Sequence, residues 1–301
     1  MNNSPIAFDC TLRDGSYLNN YNFSPSITKK YLIKANTINL KYCELGHGLG
    51  LGAYRQNEFR SFVTDKSLIN VVNSLNLKTK VGFFAQPKFI NFNDLNLIVD
   101  SNVDFIRLGV IPENFKSLFK PIEFLSKHNK KIFVFFMQTL RDTPNSLKKK
   151  VQIIYENYGI RDFYIVDSTG SMFFNEIYNF YDLLKTYKSD LKIGFHGHNN
   201  LGIANSNTFK CLENGFSYLD ATLMGIGRGA GNACLEHLII NYSKKFKVKK
   251  KDIIGLLKIS NFFRQITKIN SPNNSHNTLC GIMKIHEQNL KDLKRVNKLI
   301  K

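Results

Sequence analysis

The chain has 301 residues, 43% of them hydrophobic, with 42 Lys and Arg against 23 Asp and Glu, a formal net charge of +19. That length fits one large domain with an appendix or two ordinary domains, and no apolar run approaches the roughly 20 residues of a membrane span. The five Cys stand singly at 10, 43, 211, 234 and 280 with no Cys-x-x-Cys pair, which excludes zinc-knuckle and thioredoxin-like readings and fits a reduced, cytoplasmic protein.

The N-terminus, MNNSPIAFDC, lacks a basic stretch followed by an apolar one, so no signal peptide is expected. The charge invites a nucleic-acid reading. The lysines are scattered, however, with denser spots at Lys148–Lys150, Lys244–Lys251 and near the C-terminus. They read as a generally basic surface, with attraction of an anionic substrate or partner as the alternative, and no nucleic-acid partner is expected.

In chain order, the first strand is predicted over Ile6–Leu12. A helix opens at Ser24-Pro25, a cap residue followed by Pro at the first helical position, and Ile27, Tyr31, Ala35 and Ile38 mark its apolar face. The second strand is Tyr42–Leu45, and Asp65 precedes a helix with Leu68, Val71, Val72 and Leu75 on one side. Strands follow at Lys80–Ala85, Phe105–Val110 and Lys131–Met137. Thr143-Pro144 then opens a helix bearing Leu147, Val151, Ile154 and Tyr158. The last three strands are Asp162–Val166, Lys192–His196 and Tyr218–Thr222. All eight are almost continuously apolar, as strands buried on both faces must be. Eight strand-then-helix units predict an α/β chain closed into a (β/α)₈ TIM barrel, with an open doubly wound sheet as the alternative. After about Lys250 the pattern is helical and basic. Residues 1–245 are read as the barrel and 246–301 as a small helical C-terminal appendix.

Active sites of such barrels lie at the C-terminal ends of the strands. Chemically capable residues collect there: Arg13 and Asp14 after the first strand, Glu44 and His47 after the second, Arg107 in the fourth, Ser168 and Thr169 after the sixth, His196 and His198 at the seventh. Residues i and i+2 of a strand face one side, so two imidazoles can share one ion, with Asp14 as a third ligand from a nearby strand end. Arg13, beside that carboxylate, can hold a planar anionic oxygen through two N–H groups. Glu44 and His47 join Arg13 as candidate catalytic groups; Arg107, Ser168 and Thr169 are candidate substrate-binding groups. The glycine-rich loop 225–231 matches no Walker or dinucleotide pattern.

Asp9-Cys10-Thr11-Leu12-Arg13-Asp14-Gly15, the segment from Gly194 to Ser206 containing His196-Gly197-His198-Asn199-Asn200, and Asp220-Ala221-Thr222-Leu223-Met224-Gly225 with Gly229-Ala230-Gly231-Asn232 together resemble the DRE-TIM, or HMGL-like, metallolyases. The resemblance spans roughly residues 5 to 240. Glu44-Leu45-Gly46-His47-Gly48 and Asp167-Ser168-Thr169-Gly170 are most similar to the 4-hydroxy-2-oxovalerate aldolase type. The resemblance implies a divalent-metal-dependent aldolase acting on a 4-hydroxy-2-oxo acid through a pyruvate enolate. Asp14, His196 and His198, with Asn232 of the eighth-strand loop, would hold the ion. That ion is commonly manganese, with magnesium, cobalt or zinc as alternatives. Arg13 would stabilise the enolate.

The chain departs from that type at the general base. Tyr17 stands four positions after Arg13 where those aldolases carry His, and no Tyr follows Tyr242. Tyr17, His47 and His286 are the candidate replacements. The Tyr17-Leu18-Asn19-Asn20 run is loosely similar to aldolase-type proteins associated with surface-polysaccharide biosynthesis. A Claisen-type synthase resembling isopropylmalate or citramalate synthase is the competing reading, mildly favoured by Arg228 and opposed by the short C-terminal part. A lyase for 3-hydroxy-3-methylglutaryl-CoA lacks its loop Cys. From another class, a basic binding module gives no reason for metal-ligand residues at strand ends. The expected partner is a small 2-oxo acid in a homo-oligomeric enzyme.

Overall fold

The computed structural model describes residues 6–245 and 248–271. Eight parallel strands close in sequence order, β1 (Ile6–Asp9), β2 (Tyr42–Leu45), β3 (Lys80–Ala85), β4 (Phe105–Val110), β5 (Lys131–Phe136), β6 (Asp162–Asp167), β7 (Lys192–Gly197) and β8 (Tyr218–Ala221), with β1 beside β8. The barrel expectation holds. The registers Ile6↔Tyr218 and Phe8↔Asp220 tie the first strand to the last, removing both sheet edges.

Inside the lower barrel the rings of Phe8, Phe105, Phe133, Tyr164 and Tyr218 fill the space, with Phe8 to Phe105 at 5.1 Å in an edge-to-face contact. Gly82 and Gly194 make room for them. A Cβ on Gly82 would lie 2.3 Å from the Phe105 ring, and one on Gly194 2.5 Å from that of Tyr164.

Ten helices join the strands among the described residues: α1 (Thr11–Asp14), α2 (Pro25–Thr37), α3 (Asp65–Asn73), α4 (Phe92–Val99), α5 (Phe119–Ser126), α6 (Pro144–Tyr158), α7 (Phe174–Tyr187), α8 (Ala204–Glu213), α9 (Leu235–Lys245) and α10 (Lys250–Thr267). The hydroxyls of Ser24 and Thr143 cap α2 and α6 as expected, accepting from the amides of Ile27 and Ser146. At α3 the cap is Thr64, and Asp65 turns inward instead. No helix among the described residues is long and apolar enough to cross a membrane.

One boundary differs from the sequence reading in a way that shapes the site. The first strand stops at Asp9 rather than at residue 12, because the Asp9 carboxylate accepts from the amide and hydroxyl of Thr11 at 2.9 and 2.5 Å and nucleates the turn α1. That turn lifts Arg13 and Asp14 over the barrel mouth. The described part of the expected appendix is α10. α10 packs on α2 and α9, with Phe263 fully buried and its ring 5.4 Å from both Phe23 and Tyr31. The rest of that segment, including His286, lies outside the described residues.

Candidate metal centre

Three side chains converge at the mouth. One donor atom each from Asp14, His196 and His198 lies within 4.8 Å of the others, and all three residues are buried. β7 projects both histidines to the same side because they are two residues apart. The Nδ1 of His196 faces an oxygen of Asp220 at 2.8 Å, and that of His198 faces the carbonyl of Gly231 at 3.3 Å. Each Nδ1 faces an acceptor and carries a ring hydrogen, which leaves Nε2 as the nitrogen that can ligate once it is unprotonated. His196 Nε2 lies 3.4 Å from Asp14 Oδ2.

The electrostatics agree with a cation site. Burial alone would raise the Asp14 carboxyl, but Arg13 and then His196 and His198 outweigh it and hold it well below the usual carboxylate range. Burial pushes His198 down to about 4, so its imidazole is neutral at pH 7 and able to ligate. Burial also opposes charge on His196, yet hydrogen bonds with Asp14 and Asp220 hold its pKa above the ordinary value. The gap between Asp14 and His196 thus attracts a positive charge, a proton or a metal ion.

Unpartnered polar atoms sharpen the test of fit. Asn232 donates through Nδ2 to Asp14 Oδ2 at 2.8 Å and to the carbonyl of Ile226 at 2.9 Å, while its buried Oδ1 has no partner among the described residues. Arg13 reaches Glu44 through Nε at 2.7 Å and Asp14 through one terminal nitrogen at 3.2 Å, while its other terminal nitrogen is buried with no partner among the described residues, as are Glu44 Oε1, Arg107 Nε and Asp220 Oδ1. Bare groups of this kind call for a ligand, an ion or a water. The set of two imidazole nitrogens, a carboxylate and an amide oxygen fits a divalent transition ion. A second group, Cys10 with His196 and Asp220, has the same reach. There the Arg107 guanidinium lies 2.5 Å from Asp220 and 3.3 Å from the Cys10 sulfur, and its charge opposes a cation.

Below the cluster lies a layer that the sequence reading assigned differently. Arg107 is fully buried, with its guanidinium 4.3 to 4.7 Å from the Phe8, Phe135 and Tyr164 rings, bridging Asp220 and Glu44. With no surface open to the mouth, it is a strut and not a substrate-binding group. Glu44 is also fully buried, its Oε2 shared by Arg13 and Arg107 as their counter-ion, while its Oε1 has no partner among the described residues. Asp220 went unrecognised as a site residue. The signal was available: it is an inward carboxylate on β8, level with His196 by the Phe195↔Leu219 register.

His47 is held within its own loop. The amide of Leu49 donates to its Nδ1 at 3.1 Å, and its Nε2 donates to the carbonyl of Phe59 at 2.8 Å. Its ring stacks on Tyr21 with centroids 3.8 Å apart. Neither nitrogen is left for substrate, so His47 shapes a loop. Tyr17 packs its ring against Gly48, where a Cβ would lie 2.4 Å from it. Burial, then the charge of Asp14, pushes its phenol up rather than down. The Ser168 hydroxyl accepts from the amide of Gln138 at 3.0 Å, and Thr169 bonds within its own turn to Asp167 and Ser171.

Residues 109–263 match the HMGL-like family model, and the chain belongs to the HMGL-like family. It is 28% identical over 262 residues to an oxaloacetate decarboxylase of Mycobacterium tuberculosis, covering 83% of this chain and 77% of that protein. It is 29% identical over 253 residues to a 4-hydroxy-2-oxovalerate aldolase of Thermus thermophilus, covering 84% of this chain and 73% of that one. The fold is shared with the N-terminal domain of an aldolase candidate from Bacteroides vulgatus at a TM-score of 0.73 and 24% identity, covering 98% of this chain and 96% of that one. The chain is an enzyme of the metal-dependent carbon–carbon lyase type.

Proposed function

We propose that the protein is an aldolase that cleaves a 4-hydroxy-2-oxo acid to pyruvate and an aldehyde, with Asp14, His196, His198 and Asn232 holding one divalent ion. The observation that carries this reading is the buried terminal nitrogen of Arg13 beside the ligand cluster, unpartnered among the described residues. When bound, the ion, manganese before magnesium, cobalt or zinc, supplies Lewis acidity to the 2-oxo carbonyl.

Cleavage breaks the C3–C4 bond: the C4 hydroxyl gives up its proton to water as its oxygen becomes the aldehyde carbonyl, and the electron pair of the broken bond passes to C3, delocalised to the C2 oxygen as the enolate of pyruvate. Arg13 is built to meet that oxygen. Glu44 and Asp14 fix its other nitrogens, and its guanidinium lies 5.0 Å from the centre of the Phe84 ring, so the free N–H is aimed before substrate arrives. Tyr17 enters the cycle protonated, which suits delivery of a proton to C3 once the aldehyde has left. Arg107 and Asp220 hold His196 in the tautomer that presents Nε2. Oxaloacetate decarboxylation passes through the same enolate, and the similarity to the mycobacterial enzyme supports it as a second reading.

The test is proton NMR of pyruvate in D₂O with the manganese-loaded enzyme and no CoA ester. Exchange of the methyl protons is expected, and Tyr17→Phe should slow it. No exchange, combined with thiol release from acetyl-CoA and a 2-oxo acid, would overturn the aldolase in favour of a Claisen synthase. Release of CO₂ from oxaloacetate without aldol cleavage would favour the decarboxylase.

A further inference from the structure

The loop after β8 carries a guanidinium that the chemistry above leaves unused. The backbone at Gly227 runs against the ligand cluster, so that a Cβ there would lie 2.0 Å from Asn232 Nδ2 and 3.6 Å from the Asp14 carboxyl carbon. Arg228 is the next residue. Glycines at 229 and 231 take φ of +60° and +85°, and the amide of Gly231 donates to the carbonyl of Arg228 at 3.0 Å, closing a tight turn. The Gly231 carbonyl in turn accepts from His198. The turn that carries Arg228 is therefore tied to two of the residues assigned to the metal.

The side chain is also anchored. One terminal nitrogen donates to the carbonyl of Ser168 at 2.8 Å across the mouth, and the residue remains exposed. Its charge is felt at both Tyr17 and His198. Among the described residues it has no ion-pair partner. The nearby Asp167 is turned away, its oxygens accepting from Thr169 and from the amides of Ser171 and Met172.

The charges around the site show what is missing. Arg13 and Arg107 face Asp14, Glu44 and Asp220, a set with one excess negative charge. A divalent ion turns that into one excess positive charge, which the carboxylate of a 2-oxo acid matches. Arg228 adds a further positive charge with no acid opposite it. An unopposed guanidinium at the lip of a site is a receptor for a planar or tetrahedral anion.

We infer that the aldehyde half of the substrate carries an anionic group, a carboxylate or a phosphate, and that Arg228 binds it. The substrate class is then a 4-hydroxy-2-oxo acid with a second negative charge beyond C4. This rests on the aldolase reading. It also opposes the decarboxylase reading, because a cation holding the departing carboxylate of oxaloacetate stabilises the ground state against loss of CO₂.

The test uses the full-length manganese-loaded enzyme in the condensation direction, with pyruvate and one of three aldehydes: succinic semialdehyde, glycolaldehyde phosphate or neutral propanal. The wild type should favour at least one anionic aldehyde over propanal in kcat/KM. Arg228→Met should lower that preference by about 10- to 100-fold, mainly through KM for the aldehyde, and Arg228→Lys should restore part of it. The better of the two anions identifies carboxylate or phosphate. Titration calorimetry of the same aldehydes on both proteins reads binding without turnover, and about a tenfold weaker Kd for the anion in Arg228→Met supports the inference. An unchanged preference and unchanged Kd in that variant, or no preference for either anion in the wild type, overturns it. Missing methyl exchange with pyruvate sinks the aldolase reading separately.

Discussion

At the scale of single residues, the site depends on which nitrogen of Arg13 is free. Its Nε and one terminal nitrogen are committed to Glu44 and Asp14, and both acids are buried. A lysine at this position is a single point charge that can keep the acids company but cannot also present a fixed N–H to the developing oxyanion. Arg13→Lys should therefore retain the bound divalent ion by elemental analysis and lose kcat by roughly 10²-fold or more. Near-normal turnover in that variant would make Arg13 a structural counter-ion alone. The histidines divide in a similar way. His196 and His198 each have Nδ1 held by an acceptor, which leaves Nε2 as the nitrogen that can ligate, that of His196 lying 3.4 Å from Asp14, whereas both nitrogens of His47 are occupied by its own loop. Residue type marked all three as candidates, and the number of free lone pairs separated them.

At the scale of elements, the long loop between β2 and α3 is held by a buried acid. Asp65, in the first turn of α3, accepts from the amide of Gly52 at 2.7 Å. Burial raises its carboxyl from 3.8 to about 7, with Asp94 adding to the rise while the Gly52 amide and Arg55 oppose it. The unfolded chain releases this proton near pH 4 and the folded chain only near pH 7. The folded state therefore binds more protons across that window, and stability falls as pH rises through it. The full cost above pH 7 is about 4 kcal/mol as an upper bound. Asparagine can keep the acceptor without the charge. Urea midpoints measured from pH 5 to pH 8 should fall more steeply for the wild type than for Asp65→Asn. Parallel curves for the two proteins would show that the Asp65 carboxylate is solvated.

At the scale of the molecule, α10 decides whether the chain is a barrel with an attachment or one cooperative body. Phe263 is fully buried between the helical layer and the Phe23 and Tyr31 rings, and Leu256 and Ile259 share the same core. Phe263→Ala should cost about 3–5 kcal/mol. One thermal transition, followed by circular dichroism, should move as a whole. A small separate transition that shifts while the main one stays fixed would show α10 folding as an independent appendix.

Local geometry made much of this legible in the sequence. Continuous apolar runs marked eight strands because both faces of a parallel barrel are buried. His196 and His198 fell on one side because successive side chains alternate along a strand, a property of the backbone that needs no partner. Even the error at the first strand was local, since the Asp9 carboxylate that ends it is only two residues from Thr11. What the tertiary structure alone decided are the pairings across the barrel. Glu44 meets Arg13 from 31 positions away, Asp220 meets His196 from 24, and Arg107 reaches Asp220 across 113. Those meetings depend on strand register and on the stagger with which the barrel closes, which set the height of each side chain. Charge and residue type are written in the chain, but whether Arg107 supports the site from below or Arg228 stands open at its lip is settled only by that height.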